Sequence, residues 1–323
     1  MADTTRTEIP AEVNNFYDKV LLDRAIPSFL HNRFAQIKDI PRKGGTDTIK
    51  FRRYGVLAAA TTALSEGITP SGSQLSITDL TAQVLQYGDY ITVTDIVDMQ
   101  SYDPVLTGVA DDVLGDQVGD TLDQLCRDVI AAGTTVQYAS TATSRATVTS
   151  AMKLNRAEVK EMVRTLRTNN AKPVMRMVSP STGYNTTPVG RSFIGIISED
   201  TLFDLDDATG WIPVEKYPNK SNVMDDEVGS LANVRFLMST NAKVFASAGS
   251  GSIDVHGTLI FGTRAYAQTR ISGEVLKNIV KPLGSGGSAD PLNQRATSGW
   301  KITYVARILN ESWIGRIEHA VSS

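Results

Sequence analysis

DPVLTGVADDVLGDQVGDTLDQLCRDVIAA, residues 103–132 of 323, holds the pattern that organises the chain. Val105, Leu106, Val109, Val113, Leu114, Val118, Leu122, Leu125, Cys126, Val129 and Ile130 recur at the three- and four-residue intervals of one helix face. Asp103 is a capping residue type, and Pro104 suits a first turn, where no backbone donor is lost. At 1.5 Å per residue, a helix over 103–132 is a rod of roughly 45 Å. Gly108, Gly115 and Gly119 each cost about 1 kcal/mol relative to alanine. The rod therefore forms because its apolar stripe is covered, not because its residues favour helix. Its other face carries Asp111, Asp112, Asp116, Asp120, Asp123 and Asp128 against Arg127 alone. Such a rod predicts a spine on which the remaining elements pack.

Composition sets the outer limits. With 41% apolar and 21% charged residues the chain is of ordinary globular type. It contains no apolar run of membrane-spanning length and no secretory leader pattern, so no membrane partner is expected. The single cysteine, Cys126, falls on the spine's apolar stripe and reads as core; a lone thiol makes neither a disulfide nor a metal cluster. The net charge of −3 is unevenly spread: residues 61–135 hold Arg127 as their one base among twelve acids, while both flanks are net basic. Like charge at that density calls for solvent, ions or a basic partner, from this chain or a neighbouring copy.

Before the spine, residues 12–25 read as a short helix with Phe16, Val20 and Leu21 on one side. Phe29, Leu30, Phe34 and Ile37 continue an apolar edge beyond Pro27. A two-piece arm cannot cover that surface, so it should dock on something larger. Residues 48–54 (TIKFRRY) alternate Ile49 and Phe51 against Lys50 and Arg52, a two-sided strand, and 87–97 reads as a matching strand with Ile91, Val93 and Val97 on one face. Between them, 55–86 is rich in Ala, Thr, Ser and Gly and lacks any aromatic residue. A loop of that length is foreign to a compact domain, and two strands alone are marginal in water. The pattern predicts a projecting hairpin ordered by another copy of the protein; a disordered internal loop is the alternative.

After the spine, 155–166 predicts a helix burying Val159, Met162, Val163 and Leu166, and 199–205 a second one opening on Glu199 and Asp200. Strands are predicted at 174–178, 193–198, 234–238, 254–261, 274–280, 300–309 and 313–317, with a connector at 284–294. Without a regular βαβ rhythm the class is α+β.

No constellation carries chemistry. His31, His256 and His319 are isolated in sequence and read as structural or surface residues. No nucleophile elbow, phosphate loop or dinucleotide fingerprint is present. Asp204, Asp206 and Glu215 imitate three positions of a calcium loop, but Ala208 and a displaced Gly210 break it. The basic group Arg42, Lys43, Lys50, Arg52 and Arg53 lacks the interleaved aromatics of a single-strand binder and reads as a solvated or intersubunit cluster. The expectation is a protein that is not an enzyme, with no catalytic, cofactor or metal site.

The strings FYDKVLLDRAIPSFLHNRFAQ (16–36), KGGTDTIKFRRY (43–54), LSEGITPSG (64–72), QYGDYITVTDIV (86–97), the spine itself and GWKITYVARILNESWIGRIE (299–318) resemble tailed-bacteriophage major capsid proteins of the Hong Kong 97-type fold, in their N4-like family. The likeness covers the first 130 residues and the end; the middle is placed by order alone. It implies an N-terminal arm (1–55), an extended loop (56–98), a peripheral domain (99–175 and 291–323) and an axial domain (176–290). It implies an icosahedral shell of hexamers and pentamers around double-stranded DNA, touched non-specifically, with portal and scaffolding or decoration proteins as partners. The place would be the virion, after synthesis in the host cytoplasm. Scaffold would be a separate protein, and a loop without lysine across 55–86 would make no covalent crosslink. Intersubunit contacts are expected at Phe16, Phe29, Phe51, Arg52, Arg53, Leu57, Leu64, Glu66 and Ile68. An encapsulin-like bacterial compartment is the alternative.

Overall fold

The computed structural model describes residues 30–40, 47–55, 57–64, 66–67, 69, 71–100, 110–174, 191–217, 223–269, 276–287 and 290–322. In chain order these form β1 (Gln36–Ile37), β2 (Thr48–Tyr54), β3 (Ile77–Gln83), β4 (Leu85–Thr94), α1 (Asp95–Gln100), α2 (Ala110–Ala131), β5 (Val136–Tyr138), α3 (Arg156–Thr168), β6 (Phe193–Ile197), α4 (Glu199–Asp206), β7 (Ile212–Pro213), β8 (Glu227–Leu231), β9 (Val234–Met238), β10 (Lys243–Phe245), β11 (Val255–Phe261), β12 (Tyr266–Thr269), β13 (Lys277–Lys281), β14 (Arg295–Ile308) and β15 (Ile314–His319). The mixture is α+β, as the sequence predicts.

Three sheets result. In the first, β14 pairs along one edge with β4 and along the other with β13 and then β12, beyond which β1 runs parallel to β12. The second runs in the order β5-β15-β11-β6-β9-β8-β7, with β10 also on β11. The third is the β2–β3 hairpin.

The spine is sandwiched between the first two sheets. Leu114, Val118, Leu122, Cys126 and Ile130 of α2 share one core with Trp300, Ile302, Tyr304, Ala306 and Ile308 of β14 on one side. Ile194, Ile196, Leu237, Leu259 and Phe261 of the second sheet close it on the other. Period decides the match: i, i+4 positions on the helix face i, i+2 positions on the strands. Each fully buried leucine or isoleucine stabilises by about 1.5–3 kcal/mol, which offsets the helix cost of Gly115 and Gly119, both themselves buried. The opposite faces of the same strands (Phe193, Ile197, Ile260, Ile317) pack on Val159, Met162, Val163 and Leu166 of α3 and on Leu205 of α4. The layers therefore run sheet, spine, sheet, helices. Asn155 caps α3 through its side chain, reciprocated by Glu158, and the chain leaves through Asn170 at φ +55°.

Several expectations change. Asp103, Pro104 and the apolar residues up to Val109 lie outside the described residues, as do Phe16, Phe29 and Ile68. Val113 is 54% exposed, off the spine's buried stripe. Asp123, read from sequence as part of the charged face, is fully buried. The partner of β2 is β3 rather than 87–97: Phe51 pairs with Leu80 and Arg52 with Asp79. Residues 87–94 instead join the long β14, and 95–100 turn helical, leaving Val97 off the strand and exposed. Strand β14 begins at Arg295, five residues before the expected start. Strand β15 lies in the second sheet with residues 193–261, while β12 and β13 lie in the first with β14.

Candidate assembly surfaces

The hairpin is built in two parts with different fates. At its base Ile49, Phe51 and Ala82 are buried against Ile40, Val84 and Ala267, with Leu80, Val305 and Leu309 packed beside them. Phe51, expected to meet a neighbour, is thus spent within its own chain, because alternation turns the Ile49 and Phe51 face towards β12 and β14. Arg52 lies directly across from Asp79, its Nε 2.9 Å from Oδ1. The Arg52 hydrogen bond holds the Asp79 carboxyl below the usual aspartate value, and both groups stay exposed. Arg53 donates to Oδ1 of Asn310 at 2.9 Å, tying the hairpin to the turn before β15.

Beyond the Tyr54–Ile77 pair, Gly55 donates its N–H to the Ser76 carbonyl at 2.8 Å, and strand pairing stops. The described residues between 57 and 76 belong to no helix or strand and are exposed, Glu66 among them. Leu57 is 49%, Leu64 77% and Leu75 64% accessible. Of the expected contact residues, the structure leaves Leu57, Leu64 and Glu66 together on this bare tip and engages Phe51, Arg52 and Arg53 inside the chain. Leu75, Tyr54 and Ile77 are exposed on the same hairpin. Alternation could have found Tyr54, since it falls on the Lys50 and Arg52 face of the strand, opposite Ile49 and Phe51.

Within the expected arm, the segment from Leu30 onward docks on the spine. His31 is fully buried: its backbone N–H reaches Asp123 Oδ1 at 2.7 Å, and its ring Nδ1 lies 2.7 Å from Oδ2. The Tyr266 hydroxyl donates to the His31 carbonyl at 2.6 Å, and Tyr304 bonds Asn32. Burial pushes the neighbouring Cys126 thiol up to about 12, so it stays an unreactive core group. No sequence signal pairs His31 with an aspartate 92 positions away.

The spine's acidic face finds part of its base within the chain. Lys243 Nζ lies 2.8 Å from Asp128 Oδ1, and Asn241 donates to Asp120 at 3.1 Å. Gln117 bridges the layers, accepting from Trp300 Nε1 at 3.0 Å and donating to Asp89 at 2.7 Å. That hydrogen bond holds the Asp89 carboxyl below its usual value.

Elsewhere, buried titratable groups such as Asp204 and Glu318 are engaged structurally. Asp204 accepts from the backbone and hydroxyl of Ser322 and from Lys153 at 3.1 Å. Burial raises its pKa, and these bonds outweigh burial to bring it below normal. Glu318, wholly buried, is held by Arg145 and Arg316 at 2.7 Å each. Among the described residues no group of three His, Cys, Asp or Glu side chains is placed to hold a metal ion. No helix there is long and apolar enough to cross a membrane.

This arrangement of hairpin, spine and two sheets is the fold of phage capsid subunits. The chain matches the capsid of Ralstonia phage GP4 with a TM-score of 0.71 at 13% identity, over 90% of this chain and 88% of that one. It matches the cyanophage Pam1 capsid at 0.67 and 15% identity, over 94% and 93% of the two chains. The head structure of Helicobacter pylori bacteriophage KHP40 follows at 0.65 and 11%, over 91% and 90%. No family model and no curated protein matches the sequence.

Proposed function

We propose that the chain is the major capsid protein of a tailed bacteriophage, of Hong Kong 97 type and of the N4-like family that its sequence strings resemble. It is a structural protein, not an enzyme, and it self-assembles into hexamers and pentamers of an icosahedral shell around double-stranded DNA. The observation that carries this reading is the bare tip at 57–76, with Leu57, Leu64 and Leu75 in solvent, on a fold shared with phage capsid subunits. An isolated subunit gains nothing from such a limb; a neighbour that covers it gains apolar burial at each of many symmetric contacts. Exposed pairs such as Glu66 with a neighbour's base add only about 0–1 kcal/mol each.

In this reading the strand pairing redraws the parts. The arm ends before β2, and the extended loop is the β2–β3 hairpin. The peripheral unit is α2 with the first sheet. The axial unit is the second sheet with α3 and α4, completed by the chain's last strand. Leu57, Leu64 and Glu66 meet a neighbouring copy, as do Ile68, Phe16 and Phe29. Portal and scaffolding or decoration proteins are the further partners, the host cytoplasm the place of synthesis and the virion capsid the destination. The acidic spine face does not grip DNA, since neutralising phosphate needs clustered Lys and Arg.

Negative-stain microscopy of the purified protein tests this. Closed shells are expected; small oligomers at every concentration and salt condition would overturn it. Particles from the producing cell should hold nuclease-protected DNA, and an enzyme cargo in its place would favour the encapsulin-like compartment.

A further inference from the structure

Helices α3 and α4 lie on the same face of the second sheet and share one buried cluster. Their outward stripes are opposite in sign. On α3, Arg156, Lys160, Arg164 and Arg167 recur at i, i+4, i+8 and i+11, all exposed. Lys160 and Arg167 have no ion-pair partner among the described residues, and Arg164 has only a 3.8 Å approach to Glu161 on its own helix.

On α4, Glu199, Phe203 and Asp206 recur at i, i+4 and i+7, with Asp207 as the C-cap. Phe203 is 70% exposed, and Glu199, Asp206 and Asp207 make no ion pair among the described residues. Two acids at a helix C-terminus with no base in its last turn oppose the helix dipole. The lone subunit thus holds an exposed aromatic ring and carboxylates without ion pairs on one helix, and on the other a stripe of bases of which Lys160 and Arg167 make no ion pair among the described residues. Each stripe supplies what the other lacks. Carboxylates find bases, and the phenyl ring finds the aliphatic stems and cationic heads of lysine and arginine.

We propose that the α4 stripe of one copy of this chain docks on the α3 stripe of a second copy, with Phe203 against Lys160 and Arg164. The proposal rests on the shell-subunit reading and assigns it a contact separate from the hairpin. Because donor and acceptor stripes are different surfaces of one chain, the contact repeats from copy to copy or closes as a two-fold pair.

The test uses the full protein with one added surface cysteine, Phe203→Cys in one variant and Arg164→Cys in the other. The native Cys126 is fully buried and silent to mild oxidation. The two variants are co-assembled, oxidised and run on a non-reducing gel. A species of two-chain mass is expected from the mixture and from neither variant alone. Closed shells without that species overturn this contact while leaving the shell reading intact; failure of the wild-type chain to form particles removes both.

Charge reversal gives a second readout. Lys160→Glu with Arg164→Glu, and Asp206→Lys with Asp207→Lys, should each weaken assembly about tenfold alone and recover when mixed. Unchanged assembly, or no recovery on mixing, refutes the proposal.

Discussion

Acid should loosen the second sheet around β15, and His319 sets the magnitude. Its imidazole is fully buried in β15, with Nε2 2.9 Å from Thr258 Oγ1 and Nδ1 3.0 Å from the Ala320 carbonyl. The carbonyl can only accept, so Nδ1 carries the proton and the neutral ring is satisfied at both nitrogens. Burial drives its pKa down to about 4. The second imidazole, His256, has its ring centroid 6.4 Å away, is itself depressed by burial, and pushes in the same direction. A histidine whose folded pKa lies below its unfolded value near 6.5 takes up its proton preferentially in the unfolded chain. Stability is therefore complete above about pH 6.5 and falls continuously down to about pH 4. At pH 5 the loss from His319 is about 2 kcal/mol, and below pH 4 about 3 kcal/mol. That is a large share of a typical domain's 5–15 kcal/mol. Urea unfolding of the unassembled chain at pH 7.5 and 5.0 measures it. His319→Gln, which cannot titrate, should lose about 2 kcal/mol less between the two conditions than the wild type. Equal losses in the two proteins would refute the argument, as would a His319 ring resonance titrating near pH 6.5.

Leu114→Asp places a carboxylate in the fully covered side of the spine and should abolish soluble folded protein; normal thermal unfolding would show that the helix is not packed between the sheets. Asp123→Ala strips both His31 contacts from a buried site, and about 3–5 kcal/mol should be lost together with early proteolysis within residues 30–40. Joining Tyr54 to Ile77 by a two-residue turn in place of 55–76 should leave thermal stability within about 0.5 kcal/mol, since the described residues of the tip are exposed. The same variant should form no closed shells by electron microscopy. Deleting residues 1–29, which spares the docked segment from Leu30 onward, should likewise give folded subunits without shells.

The spine, the β2 strand, α3 with its four inward residues, α4 and the α+β class are legible in the order of residues alone. Each of these is specified locally, by an apolar period of 3.6 or 2 and by caps such as Asn155. The sequence also marks 55–86 as a limb without an internal partner, which holds for the described residues of 57–76 but not for 77–83, which pair with β2. Partnership is different, because it is set by packing between elements far apart in the chain. Two runs of alternating residues, 77–83 and 87–94, both suit β2, and the choice of the nearer one rests on where Phe51 can be buried. Asp123 reads as one more acid on a charged face until His31, 92 positions earlier, arrives against it. The sheet grouping follows the same rule: β15 belongs to the second sheet because its alternate faces fit α2 and α3 at once, and pairing between distant strands leaves no trace in the local pattern of either.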